Sequence, residues 1–328
     1  MKKIESLYLA KGICIILVMI FHLADFIPLN ERDVLTLFRL PTFVMISGCL
    51  FNVKSGMLEF VKRKVKTLLV PFAFFYTITC VIVPFILLSC FGVKLETYLG
   101  WRSLYAFIYP CVFPNIPLWF LWALFVLNVL FLCLYRLSVK MKGHGYVLML
   151  LISFVALLAV EYLWCVQSVS LPAFLDRVLL YMPFFSTGII ISNWIKSIES
   201  RTLSYKALLF AVSCVLSVIF IHIKMLSQAW YIIAIASYVA GFSGAIVVLS
   251  LSSIFVHIPI ISYMGRYSLI VLVTHSMYIR LFVIMFDRLH LVHTLLFDTA
   301  SVFLIFASVY FTIPIMRRYI PMFVAQKK

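Results

Sequence analysis

Three residues near the start of the chain have the types and spacing of an acid–base site. Lys11 and His22 stand eleven positions apart. On a helix turning about 100° per residue that returns to within roughly 20° of the same face, about 16 Å further along the axis. Asp25 follows His22 by three positions, on an adjacent part of that surface. A carboxylate so placed can hold an imidazole in one tautomer and stabilise its protonated form. The pattern is that of a general base with its orienter, His22 and Asp25, and a cation further down the same stripe. A second histidine, His275, lies near the middle of an apolar run and shares a helical face with Ser268, seven positions earlier. Arg266, nine positions from His275, falls on the opposite face of an ideal helix. For each histidine the alternative reading is a buried side chain hydrogen-bonded to a neighbouring helix.

The segments that must position these residues are membrane spans. The chain has 328 residues, of which 65% are hydrophobic and 12% charged. A soluble domain is nearer half apolar and a quarter charged. Stretches of the roughly 20 apolar residues needed to cross a bilayer recur along the whole length. They fall near 7–27, 34–53, 67–91, 117–137, 146–166, 177–195, 207–223, 230–250, 263–286 and 295–316. The expected fold is an all-α polytopic membrane protein of about ten transmembrane helices, one integral-membrane domain over 1–328. The opening Met1-Lys2-Lys3 and the apolar run after it resemble a signal peptide. No small-residue cleavage site follows, and Lys11, His22 and Asp25 interrupt the run, so a retained first helix is expected.

The net charge of +16 is read as loop anchoring, not as a nucleic-acid surface, because cytoplasmic loops concentrate Lys and Arg. With both termini inside, 18 of the 27 basic residues fall in inner segments and 7 in outer ones, Lys11 and Arg39 being inside spans. Both termini are therefore expected to be cytoplasmic. The eight cysteines are scattered, no pair has metal-ligand spacing, and no metal is expected.

An ionisable group inside a span is costly and is a functional candidate by default. Arg39, Glu161 and Arg280 lie close to the outer interface, where snorkelling to headgroups is the other reading. The most basic stretch, Lys62-Arg63-Lys64-Val65-Lys66, suits either anionic lipid or the phosphates of a nucleotide-bearing donor. Ser47 is the other nearby hydroxyl, for which a small packing residue is the stronger reading. Trp119 is a sugar platform or an interfacial anchor.

Five short motifs in order carry a family resemblance over most of the chain. They are Lys11 with His22 ten intervening residues on, Leu40-Pro41-Thr42-Phe43 leading to Ser47-Gly48, Arg63-Lys64-Val65-Lys66 before Leu68-Leu69-Val70-Pro71, Pro117-Leu118-Trp119-Phe120-Leu121, and Gly265-Arg266-Tyr267-Ser268-Leu269 with His275. Together they resemble the membrane acyltransferase family of the acyltransferase 3 type. The resemblance implies an O-acetyltransferase-like enzyme of the bacterial inner membrane. It would pass an acyl group, by expectation acetyl, from cytoplasmic acyl-CoA to a hydroxyl of an extracytoplasmic or lipid-linked sugar. Acyl-CoA is then a substrate and no resident cofactor is implied; the partners are the donor, the glycan acceptor and membrane lipid. On this reading His22 and Asp25 are catalytic, and Lys11, Arg63, Lys66 and Arg266 hold the donor. Arg39, Ser47, Trp119, Glu161 and His275 then face substrate. Lys66 stands where the family's loop has a second arginine, which keeps the charge and loses the bidentate fork. Direct transfer and a covalent acyl-histidine both fit. The rival class is a transporter or flippase of a polysaccharide precursor, which also uses central polar groups, although the paired broken helices of many transporters are not evident.

Overall fold

The structure is a computed structural model and describes residues 4–23, 26, 32–53, 56–83, 85, 86, 89, 115–140 and 145–325, with the backbone alone at 32–37, 80 and 138–140. Twelve helical elements position the site: α1 (Glu5–His22), α2 (Arg32–Cys49), α3 (57–82), α4 (Trp119–Lys140), α5 (Gly145–Cys165), α6 (Leu175–Ile190), α7 (Ser192–Ser197), α8 (Leu203–Leu226), α9 (Trp230–Phe255), α10 (Pro259–Arg266), α11 (Ser268–Arg288) and α12 (Leu295–Tyr319). No strand occurs among the described residues. Among the described residues eight helices are long and apolar enough to cross a membrane. The two remaining expected spans coincide with α2, whose apolar part is Phe38–Cys49, and with α3. The outer helices confirm the solvent: Leu208, Val215 and Val218 of α8 and Phe303 and Phe311 of α12 are 58–71% exposed. Such a surface suits hydrocarbon, not water. The protein is an all-α polytopic membrane protein.

Two expected spans are corrected at their ends. The helix read as 263–286 is broken at Tyr267 (φ −110°, ψ 27°), so Arg266 ends α10 and Ser268 begins α11. Arg266 and His275 therefore sit on separate helices, and the opposite-face relation of one ideal helix does not hold between them. The first helix, expected to reach residue 27, ends at His22 with Leu23 outside helical geometry (φ −83°, ψ 34°). The helical register that related Asp25 to His22 stops there, and Asp25 lies outside the described residues.

α1 is the central element, packed against α2, α9, α10 and α11. Close crossings hold it there. A Cβ on Gly12 would sit on the Ile261 carbonyl, and one on Gly265 on the Tyr8 carbonyl, so α1 and α10 touch backbone to backbone. Gly48 of α2 and Gly188 of α6 make the same kind of crossing, each facing the other helix's carbonyl at Phe185 or Met45. Small residues substitute for a hydrophobic driving force that lipid does not supply.

One end of the bundle is tied by polar contacts. Glu199 accepts from the Ser6 N–H at 3.1 Å and from its Oγ at 2.7 Å, capping α1 from the far side of the sequence. Glu5 pairs with Arg266 at 3.3 Å and lies 3.8 Å from His257. Lys206 of α8 donates to the Ser253 carbonyl of α9 at 2.9 Å, a cation at a helix C-terminus. These contacts bring Glu5, Glu199, Lys206, Ser253 and Arg266 to the end that carries the N-terminus, in line with the alternation of spans.

Candidate active site

The stripe on α1 is real. Lys11, Ile15 and Val18 line one cavity of about 190 Å³, and His22 is the next turn of the same stripe. On α11 the corresponding stripe is Ser268 and Leu272, which line the same cavity, followed by His275. The two stripes converge: the His22 and His275 rings lie 5.4 Å apart, centroid to centroid. Leu40, Phe43 and Ser47 of α2, Leu68 of α3, and Phe120, Leu121 and Leu124 of α4 complete the wall. Helix register orders the lining. Lys11, Ser47 and Ser268 sit toward the N-terminal end of the bundle, and the deeper walls at Val18, Leu40 and Leu272 are apolar.

His275 is completely buried and its Nδ1 lies 2.8 Å from the Val271 carbonyl oxygen. A carbonyl only accepts, so the proton is on Nδ1 and Nε2 carries the lone pair. Nε2 has no partner among the described residues. The tautomer is thus set by backbone, with the basic nitrogen left unengaged. His22 meets Phe21 edge to face at 5.2 Å.

Arg39 joins this group and does not snorkel. It is 3% exposed, its guanidinium lies 3.7 Å from the centre of the Phe21 ring, and it donates to the Leu17 carbonyl at 3.4 Å. A desolvated cation over an aromatic face is worth up to about 2 kcal/mol, which helps hold the charge inward beside His22. The proline two positions on, Pro41, lies inside α2 and removes one helical hydrogen bond.

The basic stretch is divided by its own backbone. Lys62, Arg63 and Lys64 close the α-helical first part of α3, and Val65–Leu69 continues as a π turn holding Lys66. π turns are rare and often mark functional positions; a second covers Thr77–Ile82. Arg63 donates to the Asn52 carbonyl at 2.9 Å, while Lys66 is exposed. Lys64 is half-buried, with its ammonium 5.3 Å from the centre of the Phe60 ring. Burial pushes its ammonium pKa down to about 8, and the neighbouring charges of Arg63 and Lys11 push in the same direction. Arg266, expected to help hold the donor, is held by Glu5 and stacks its guanidinium 5.0 Å from the Tyr8 ring.

The remaining candidates gather elsewhere. Glu161 is 6% exposed and lines a second cavity of about 250 Å³ with Trp164, Arg177, Tyr181, Lys224 and Tyr238. It does not snorkel. Trp119 is 6% exposed, stacked on Phe174 at 5.7 Å and Tyr181 at 6.2 Å, with the Arg177 guanidinium 5.0 Å from its ring. It is neither an open platform nor an interfacial anchor; it backs Tyr181, which lines the cavity. A third cavity, about 300 Å³, is lined by Thr79, Asn115, Thr274, Tyr278 and Arg280 among others. Sequence reasoning missed Lys64, Tyr181, Arg177 and Lys224 as site residues. The last two were visible only as outer-loop charges, since their convergence on Glu161 depends on how α5, α6 and α8 meet.

The sequence profile of the acyltransferase domain family, acyltransferase 3 type, matches residues 4–317. The chain belongs to the acyltransferase 3 family. It is a membrane acyltransferase, and the match spans both histidines and all three cavities. No curated protein and no solved structure matches the chain.

Proposed function

We propose that this acyltransferase moves an acyl group, acetyl by expectation, from cytoplasmic acyl-CoA to a hydroxyl of an extracytoplasmic or lipid-linked sugar in the bacterial inner membrane. The observation that carries the reading is the cavity that begins at Lys11 and ends one turn short of the His22–His275 pair. A cation at one end and apolar walls above suit a phosphate-bearing carrier with a slender acyl arm. Donor phosphates rest against Lys11 and Lys64, with Arg63 and Lys66 at the mouth, and the thioester lies below the histidines.

His22 takes the proton of the sugar hydroxyl as its oxygen attacks the thioester carbonyl. The carbon–sulfur bond then breaks, the thiolate leaves, and the proton passes from the imidazolium to sulfur, giving an ester and free CoA thiol. The positive potential of Arg39 stabilises the oxyanion that forms on the way. His275, with Nε2 as acceptor, positions the hydroxyl or His22 itself.

Two measurements test the function. Purified protein in nanodiscs should release CoA thiol from acetyl-CoA. Cells carrying the gene should show surface glycans heavier by one acyl group than cells lacking it, by mass spectrometry. Absence of both thiol release and a mass shift would rule the reading out.

A further inference from the structure

The second cavity has a composition that the donor cavity lacks. Glu161 is buried, and its one hydrogen bond among the described residues is from the Cys165 thiol at 3.9 Å, a weak donor. None of the described ion pairs includes it. A carboxylate withdrawn from water without strong donors is destabilising, which is tolerated where a ligand supplies them. Lys224 and Arg177, the latter against the Trp119 ring, line the same cavity and form none of the described ion pairs, so both charges can meet an anion there. The walls are aromatic and braced. Trp164 donates its indole N–H to Asp176 at 3.2 Å, Tyr238 shares a 2.7 Å hydrogen bond with Thr187, and Tyr181 is backed by Trp119. Adjacent residues of α2 belong to different cavities, Leu40 to the histidine-side one and Pro41 to this one.

We propose that this cavity is the acceptor subsite and that it selects a sugar ring carrying an anionic group. The ring packs on the aromatic walls, its hydroxyls donate to Glu161, and the anion meets Lys224 and Arg177. A uronic carboxylate and a sugar phosphate share this chemistry. A bare lipid phosphate does not, since it would bring an anion to Glu161 without hydroxyls to satisfy it. The proposal rests on the acyltransfer reading for its role, but binding is measurable without donor.

The test uses the full chain in phosphatidylcholine nanodiscs, with calorimetry and saturation-transfer NMR, and no acyl-CoA. The probes are methyl β-glucuronide, glucose 1-phosphate and the neutral methyl β-glucoside. One or both anionic probes should bind at least about tenfold tighter than the neutral one, as charge-assisted hydrogen bonds imply, and which does so distinguishes carboxylate from phosphate. Lys224→Met should remove the preference and Lys224→Arg should keep it. Glu161→Gln should weaken all binding probes. Equal binding of all three, or a preference that survives Lys224→Met, overturns the proposal. So does loss of probe binding when phosphatidylglycerol replaces phosphatidylcholine, which would make the two cations a headgroup site. CoA release without any anionic preference would sink this proposal and leave the acyltransferase reading standing. Preference with neither CoA release nor a glycan mass shift would do the reverse.

Discussion

The cavity that begins at Lys11 and the cavity that holds Glu161 lie against neighbouring residues of α2, yet their linings are opposed. The first has one cation and two hydroxyls, Lys11, Ser47 and Ser268, at one end, and is otherwise apolar. The second brings a buried carboxylate, two cations and three aromatic residues with polar tips into a comparable volume. A site that must admit a slender arm needs excluded water and little else; a site that must choose among sugars needs placed polar groups. Belonging to an acyltransferase family, the chain has to handle two substrates, and the proposed assignment gives the apolar cavity to the donor and the polar one to the acceptor. The histidine pair stands one turn beyond the deep end of the apolar cavity, just above where the proposed function puts the thioester.

The strongest way to break this comparison is to remove the group assigned to the junction. General-base catalysis contributes about 10²–10⁴ in rate, so His22→Ala should lose at least the lower figure in CoA release while donor and probe binding persist. His275→Gln keeps a side-chain donor for Val271 and should cost less. Were His275→Gln inactive and His22→Ala near normal, the roles of the two histidines would be exchanged. Activity in both would remove the histidine pair from the chemistry.

A smaller effect sharpens the donor side. Arg63→Ala combined with Lys66→Ala should raise the KM for acetyl-CoA by about tenfold, with little change in probe binding at Glu161, because each charge-assisted contact is worth on the order of 1 kcal/mol or more. If these side chains only anchor α3 to lipid, the double variant loses stability in the membrane and its donor KM is unchanged. Arg63 is the informative member of the pair, because its bond to the Asn52 carbonyl already gives it a structural task.

Much of this was legible in the residues themselves. Apolar length alone located the eight long helices of the described residues, because a bilayer sets one ruler for every span. The Lys11–His22 stripe was legible because helical periodicity holds along α1 and the cavity follows it. Periodicity stops serving where the chain stops being one helix: at Tyr267, which uncouples Arg266 from His275, and at Leu23, where α1 ends. Arg39 and Glu161 were read with snorkelling as an equal alternative because their depth was visible and their direction was not. Direction came from Phe21 for Arg39, and for Glu161 from the meeting of α5, α6 and α8. Nothing in composition marks a π turn, so the difference between Lys66, exposed within that turn, and Lys64, half-buried just before it, is not legible in the sequence.

That difference at Lys64 yields the smallest and most specific effect. Its pKa of about 8, against an ordinary 10.5, means the side chain loses its charge as pH rises through 8. Donor phosphates favour the charged form, so affinity for acetyl-CoA should fall a few-fold between pH 7 and 9, as loss of one exposed-to-partly-buried pairing implies. Lys64→Arg, which stays protonated over the range, should flatten that fall. Unfolding is not an alternative cause. A lysine pKa lowered by folding means that between about 8 and 10.5 the unfolded chain holds the proton more tightly. This group's contribution to stability therefore improves as pH rises through that window. Donor binding should also take up protons near pH 8 to 9, measurable by calorimetry in buffers of different ionisation enthalpy. A flat donor affinity from pH 7 to 9, or a fall identical in Lys64→Arg, would take Lys64 out of the donor site and leave Lys11 as the cation that defines it.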